Sequence, residues 1–170
     1  TMHMKLNTKF TKGFTLIELL VVISIISLMS SVVFTSLARV RVQARVAQSV
    51  SDLREIRSAL EAYYQDKGVY PSTGGGWDGY ISDYGADLGL DWIPDLTPEY
   101  FRVMAREPRK TSDGTSQYLY RSLDGRDYKL IYLNPEDCQS VKTKYLNLVD
   151  PVRNDVIVCW AYGFWSPGGA

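Results

Sequence analysis

One acidic residue, Glu18, stands inside the most apolar part of the chain. It is the only acidic residue before Asp52, and the segment from Phe14 to Ala38 carries no other charge. A carboxylate near the middle of a bilayer costs a few kcal/mol, so a compensating interaction has to offset that cost. A place in the first turn of a helix helps, because the helix dipole favours negative charge there. The partner of Glu18 is therefore either a positively charged group or the backbone of its own helix start.

The two cysteines, Cys138 and Cys159, have 20 residues between them. This spacing matches neither a zinc site nor a CxxC redox motif. If the C-terminal part of the chain lies outside the cytoplasm, a disulfide between them is the favoured interpretation, and two separate buried thiols are the alternative.

Other catalytic and metal-binding chemistry has little support. His3 is the only histidine, which excludes most histidine-dependent catalysis and histidine-rich metal sites. Asp83, Asp87 and Asp91 lie in a Gly-rich loop and are candidates for a calcium site, with no other cofactor expected. No EF-hand pattern is present, so solvated loop acids are the favoured interpretation. We expect that the protein is not an enzyme.

A long helix has to position Glu18. The 25 residues from Phe14 to Ala38 contain no Pro or Gly and are long enough to span a membrane. Further apolar positions then recur every three or four residues, which predicts an amphipathic continuation of the same helix to Lys67, before Gly68. The apolar positions of this continuation are Val42, Val46, Val50, Leu53, Ile56, Leu60 and Tyr63.

The rest of the chain predicts a small sheet. A Gly- and Asp-rich loop follows Gly68, and a short helix is predicted from Pro98 to Arg106. The segments QYLYRSL and YKLIYL flank Asp124-Gly125, which indicates a β-hairpin. The segment VIVCWAYGFW predicts a last strand that is central in the sheet or packs against the long helix. The tail from Ser166 to Ala170 is expected to be loose.

Two segments resemble one family. The sequence KGFTLIE (Lys12 to Glu18) before an apolar helix is similar to the prepilin peptidase site of type IV pilins and type II secretion pseudopilins. The sequence ALEAYYQDKGVYPST (Ala59 to Thr73) resembles the helix end of major pseudopilins and related pilins. The resemblance implies an α+β pilin fold, in which a long N-terminal helix, membrane-spanning in its first half and amphipathic in its second, packs on a small antiparallel C-terminal sheet.

The resemblance also implies how the chain is divided and processed. Residues 1–13 would be a basic leader, 14–38 a transmembrane and filament-core helix, 39–67 its amphipathic half, and 68–170 a globular head with a disulfide-bracketed C-terminal region. Prepilin peptidase would cleave between Gly13 and Phe14 and methylate the amine of Phe14. That amine, on a neighbouring subunit, would be the partner of Glu18 during filament assembly. Many relatives have a Gly and a Pro in the apolar half, and their absence here leaves open whether this helix unwinds in a filament.

The function implied is that of a structural subunit of a type IV pilus or pilus-like filament, with a secretion pseudopilin as the alternative. The subunit would sit in the inner membrane with its head outside the cytoplasm, and then in an extracellular or periplasmic filament. Its partners would be identical or homologous subunits, the peptidase and the assembly platform. Another alternative is a minor pilin that binds DNA or glycan. For the N-terminal segment, the alternative is a cleaved signal peptide ending at Ala38. The mildly acidic C-terminal part disfavours nucleic acid as a partner.

For the binding-module alternative, Arg39, Arg41 and Arg45 could contact phosphate, although lipid headgroups or acidic groups of adjacent subunits fit better. A set of aromatic residues could contribute to a sugar-binding platform, but core or subunit contacts are favoured for them. These aromatics are Trp77, Tyr80, Tyr84, Trp92, Trp160, Tyr162, Phe164 and Trp165.

Overall fold

The structure is a computed structural model that describes residues 13–81, 89–109, 114–153 and 159–169; side chains are not described at 31–35 and 90. The elements in chain order are the helix α1 (Leu16–Lys67), the strand β1 (Asp78–Gly79), a 3-10 turn (Gly89–Asp91), the strands β2 (Gln117–Arg121) and β3 (Lys129–Leu133), the helix α2 (Cys138–Lys144), a second 3-10 turn (Leu146–Leu148) and the strand β4 (Ala161–Trp165). This is the predicted α+β class: a long N-terminal helix followed by a small antiparallel sheet.

Helix α1 contains 52 residues and ends at Lys67, where the sequence predicts its end. Gly68 stops it in a left-handed conformation with φ 74°. Its N–H donates to the carbonyl oxygen of Tyr64 at 2.8 Å. Glycine adopts this conformation without steric cost, which explains why the helix ends here. The chain divides into two compact units, residues 1–40 and 41–170.

The N-terminal unit is described from residue 13 onward, so most of the predicted leader lies outside the described residues. Its part of α1 exposes large apolar side chains on every side, among them Leu16, Leu20, Ile23, Ile26 and Met29. Within the described part of the chain, no helix meets the combined length and hydropathy needed to cross a membrane.

The sheet of the C-terminal unit is antiparallel throughout, with its four described strands in the order β1-β2-β3-β4. The predicted hairpin is confirmed: Gln117 pairs with Leu133 and Arg121 with Lys129. Gly125 takes the left-handed conformation of the turn, with φ 79°. A Cβ there would lie 2.7 Å from the carbonyl oxygen of Tyr70, so the close approach also requires glycine.

The amphipathic part of α1 packs against one face of the sheet, as its spacing predicts. Val42 is half-buried, and the six other predicted positions from Val46 to Tyr63 are buried. From the sheet, alternate residues of β2, β3 and β4 enter the same core; these are Tyr118, Tyr120, Leu130, Tyr132 and Tyr162. Alternate residues of the strands therefore pack against every third or fourth residue of α1.

Tyrosine hydroxyls at this interface bond to polar residues of α1. The Tyr118 hydroxyl donates to Asp52 at 2.9 Å, and the Tyr162 hydroxyl bonds to the buried Ser49 hydroxyl. Further along the helix, the Tyr100 hydroxyl donates to Asp66. A buried polar group without a partner costs free energy, so the bonds of Tyr118 and Tyr162 satisfy polar groups within the tyrosine-rich core.

The opposite face of the sheet carries a second, smaller cluster. Leu119, Ile131 and Ala161 are buried there, and Trp77 and Leu133 pack against them. The segment after the second 3-10 turn pairs with β4 through Val149 and Tyr162.

Two details of the sequence interpretation are wrong. The chain forms one closed turn at Leu96, whose carbonyl accepts from Tyr100 and Phe101, and then turns and coil instead of a helix from Pro98 to Arg106. The reason is tertiary: the ring of Tyr100 packs edge-on against Tyr63 of α1, with centroids 5.1 Å apart. The last strand lies beside β3 at one end of the strand order and packs against α1, which is one of the two places predicted for it.

The C-terminal tail is also not loose over residues 166–169. The Ser166 N–H donates to the Tyr128 carbonyl at 3.1 Å, and the Gly168 N–H donates to Asp127 at 3.0 Å. The Ser166 hydroxyl also donates to Asp127, at 2.8 Å. The Asp127 carboxylate therefore holds the tail against the start of β3.

Candidate functional site

The start of α1 forms a capping box around Glu18. The Glu18 carboxylate accepts from the Thr15 N–H at 2.9 Å and from the Thr15 hydroxyl at 2.7 Å. In return, the Thr15 hydroxyl accepts from the Glu18 N–H at 3.3 Å. The Thr-x-x-Glu spacing is the usual signature of this arrangement. Within a single chain, Glu18 is therefore bonded to its own helix start, and its pairing with Phe14 of a neighbour stays a prediction.

The residues before the cap are accessible. Gly13, Phe14 and Thr15 precede the helix, and all three are exposed, with Phe14 76% accessible. Both sides of the predicted cleavage point are thus outside regular secondary structure.

Serine hydroxyls inside the apolar half of α1 bond to their own helix. Ser24 donates to the Leu20 carbonyl and Ser27 to the Ile23 carbonyl, each at 2.7 Å. Serines commonly satisfy their hydroxyls in this way within helices that lack water.

The predicted disulfide is present. Cys138 is the first residue of α2 and bonds to Cys159, two residues before β4, with a Cα–Cα distance of 5.5 Å. Asp137 caps α2 by accepting from the Ser140 N–H at 2.9 Å. The disulfide therefore joins the start of α2 to the entry of the last strand.

Arg45 binds within the chain. Its Nε and one terminal nitrogen donate to the two carboxylate oxygens of Glu136, each at 2.6 Å. This hydrogen bonding lowers the pKa of Glu136. Because Glu136 stands two residues before Cys138, the ion pair and the disulfide hold the same segment between α1 and β4.

Breaking the disulfide should destabilise the C-terminal unit by about 3 kcal/mol, because the loop that it closes gains entropy in the unfolded chain. We expect the Cys138→Ser/Cys159→Ser variant to unfold at correspondingly lower urea than the oxidised protein. Adding dithiothreitol should lower the unfolding midpoint of the wild-type protein and leave that of the double variant unchanged. Equal midpoints for the oxidised protein and the variant would show that the bond adds nothing.

Only one of the three predicted calcium candidates, Asp91, lies in the described part of the chain. Asp83 and Asp87 lie outside the described residues, and Asp91 is exposed and accepts a hydrogen bond from the Thr97 hydroxyl. Across residues 13–81, 89–109, 114–153 and 159–169, no group of three acidic, cysteine or histidine side chains could hold a metal ion.

The predicted aromatic set divides between the core and the surface. Trp92 and Tyr162 are buried, and Tyr84 lies outside the described residues. Trp160 is 50% exposed, and Trp77 is half-buried on the sheet face that points away from α1.

A buried ionic cluster was missed in the sequence. The fully buried Asp150 accepts from Lys129, which is 8% exposed, and from the half-buried Arg153, with all distances 2.9 Å. The Val152 N–H also donates to Asp150 at 2.9 Å. Burial alone raises the pKa of Asp150, but these hydrogen bonds outweigh it, so the pKa lies below its usual value. Of the two ion pairs, only the one between Asp150 and Arg153 joins residues that are close in sequence. Lys129 is brought to Asp150 by the pairing of β3 with β4.

Comparisons with known proteins agree with the helix start and the fold. Residues 9–34 match a family model described as the prokaryotic N-terminal methylation motif. The type II secretion system core protein G of Pectobacterium carotovorum subsp. carotovorum is 33% identical over 125 residues, which are 73% of this chain and 67% of that protein. Its counterpart in Klebsiella pneumoniae is 36% identical over 97 residues, 57% of this chain and 68% of that protein.

The protein of the same name in Pseudomonas aeruginosa is 35% identical over 69 residues, covering 41% of this chain and 49% of that protein. No solved structure matches the chain. A methylation-type helix start, a long helix and a small antiparallel sheet define a structural subunit of the pilin type. Within that class, the chain belongs to the family of the type II secretion system core protein G, the pseudopilins.

Proposed function

We propose that this chain is a pseudopilin subunit of a type II secretion filament, processed from a precursor and assembled through α1. The names of the relatives support the secretion system over the type IV pilus.

The observation that carries the proposal is the accessible Gly13–Phe14 bond directly before the capped apolar helix. A peptidase needs an extended, exposed backbone, and this bond precedes the first helical residue, Leu16, by two residues. After cleavage, Phe14 would become the N-terminal residue, and its amine would lie four residues before Glu18.

Single-pass anchoring in the inner membrane, with the C-terminal unit outside the cytoplasm, completes the proposal. The exposed apolar side chains of the N-terminal unit support a membrane or partner helices as their surroundings. The Cys138–Cys159 disulfide supports an oxidising compartment for the C-terminal unit. In the assembled state the subunits would form a periplasmic filament.

Under this proposal the protein has no catalytic activity. The polar side chains of the core, such as Asp52, Asp150 and the tyrosines, are engaged with one another and serve folding. The chain would instead be the substrate of the peptidase and methyltransferase.

Mass spectrometry of the N-terminus tests the proposal. When the chain is produced together with a prepilin peptidase, we expect the purified membrane fraction to contain a mature form that begins with N-methylated Phe14. A mature form that begins at Arg39 would instead show a secreted domain released by signal peptidase, and the proposal would be wrong.

The variant Gly13→Val tests whether the peptidase cuts after residue 13. A Cβ at Gly13 would have no atom within 4 Å, so the substitution should leave the fold unchanged. If cleavage then stops while the precursor accumulates folded, the peptidase recognises the residue at this position. Unchanged cleavage would indicate that another bond is cut.

A further inference from the structure

The sheet face that points away from α1 carries a groove with two compartments, which we name the outer groove. Cavities of about 430 and 570 Å³ share the lining residues Trp77, Val152 and Arg153. Beyond this shared ridge, the larger compartment is mainly apolar and includes Leu119, Leu133 and Trp160. The smaller compartment carries charged residues, among them Arg121, Lys129 and Asp127.

The ridge between the compartments is a stack of two arginines on one indole. The guanidinium carbon of Arg153 lies 4.9 Å from the centroid of the Trp77 ring, and that of Arg121 lies 5.8 Å from it. The buried Asp150 holds Arg153 in place through an ion pair of 2.9 Å. A guanidinium stacked on an aromatic ring keeps its in-plane N–H groups available to a carboxylate.

Arg121 has unused capacity for such a contact. Its side chain is exposed, and within the described ranges no carboxylate lies at salt-bridge distance from it. The acids of the same compartment are already engaged, since Asp127 holds the C-terminal tail and Asp124 pairs with Arg126 at 3.3 Å.

The apolar compartment has a fixed wall. The Trp160 carbonyl accepts from the Asn134 N–H at 2.8 Å, and the Trp160 N–H donates to the Arg153 carbonyl at 3.2 Å. These bonds anchor the backbone of Trp160, although half of its side chain stays accessible to solvent.

These features discriminate among ligand classes. A sugar would need the open face of an indole, but the Trp77 ring is already covered by arginines, which leaves only the half-exposed Trp160 for such a contact. A nucleic-acid backbone would bring several phosphates close to Asp124 and Asp127, which repel them. A single carboxylate beside an apolar side chain fits both compartments without either conflict.

We propose that the outer groove binds an acidic peptide segment of another protein. A carboxylate of that segment would bind Arg121 and Arg153, and an adjacent aliphatic side chain would enter the compartment beside Trp160. This inference goes beyond assembly into a filament, and its test does not require filaments.

A titration of the full chain in detergent micelles tests the site. The probe is the blocked peptide acetyl-Gln-Leu-Glu-Leu-amide, which carries one carboxylate, and its matched control is acetyl-Gln-Leu-Gln-Leu-amide. We expect the indole N–H resonances of Trp77 and Trp160 to shift only with the acidic peptide. Added salt should weaken the binding, because it screens the exposed Arg121.

Two variants make the assignment specific. Arg121→Gln should raise the Kd for the acidic peptide about tenfold, which corresponds to the loss of one charged hydrogen-bonded pair. Arg102→Gln is the matched control, because Arg102 is exposed and lines neither compartment, and it should leave the Kd unchanged.

Several outcomes would overturn the inference. Equal binding of the two peptides would show that charge is not recognised, and an unchanged Kd in Arg121→Gln would remove the proposed contact. Shifts of the same resonances with maltohexaose or a single-stranded oligonucleotide, without a response to the peptide, would assign the groove to another ligand class. Loss of N-terminal processing with intact peptide binding would contradict only the proposed function.

Discussion

Glu18→Ala is expected to abolish filaments while leaving insertion and cleavage of the precursor intact. The reason is electrostatic: in the low dielectric of a filament core, the amine of Phe14 needs a compensating charge from a neighbouring subunit. The capping box offers a second role for the same carboxylate, because Glu18 also accepts two hydrogen bonds from Thr15. Electron microscopy of filaments and chemical crosslinking between subunits in the membrane fraction would measure the effect.

Glu18→Gln separates the two roles. The amide oxygen can still accept from Thr15, so a helix cap survives, but the negative charge is lost. If pairing with the amine governs assembly, this variant should form no filaments either. Filaments formed by Glu18→Gln would instead assign the role to the cap, which contributes about 1 kcal/mol. Glu55→Gln, at an exposed position of α1, should assemble normally.

Asp150→Asn should lower the free energy of unfolding by about 3 kcal/mol, because it leaves the ammonium of Lys129 buried without a counter-charge. Chemical unfolding monitored by circular dichroism would measure the loss. Adding Lys129→Met should recover most of the lost stability, since the charges of both Asp150 and Lys129 are then removed and methionine keeps an unbranched side chain in place of lysine. Asp124→Asn is the surface control and should change the stability by less than about 0.5 kcal/mol.

The same cluster predicts a pH dependence with a definite sign. The pKa of Asp150 is lower in the folded protein than in the unfolded chain, so its contribution to stability is present above the unfolded value, about 3.9. This contribution should disappear as the pH falls through the folded pKa. Burial raises the pKa of Asp52, and its effect on stability has the opposite sign. The loss at acid pH should therefore be smaller in Asp150→Asn than in the wild type, and equal losses would contradict the assignment.

Local patterns predicted the parts of the fold that depend on a repeating period. The stripe from Val46 to Tyr63 identified the buried face of α1, because a helix places every third or fourth residue on one side. The pair Asp124-Gly125 identified the hairpin, because the turn needs glycine in a left-handed conformation. For the same reason Gly68 marked the end of α1.

Features that depend on contacts distant in sequence were not predicted. The two-residue strand β1 has no period of its own and exists because Asp78 pairs with Tyr120. Helix α2 has only seven residues, but its N-cap Asp137 could have been found from the acceptor that it offers to Ser140. The Asp150 cluster and the stack on Trp77 join residues from separate elements, so sequence spacing gave no signal.

The tyrosine hydroxyl bonds along α1 have a mechanical consequence. Tyr118 and Tyr162 bond within one turn of the second half of the helix, and Tyr100 bonds to Asp66, about four turns further along. A pull along the helix axis loads these bonds in parallel, so none can break before the others share the force. Sliding by one helical turn, about 5.4 Å, would break all three at once. The interface thus resists shear far better than peeling.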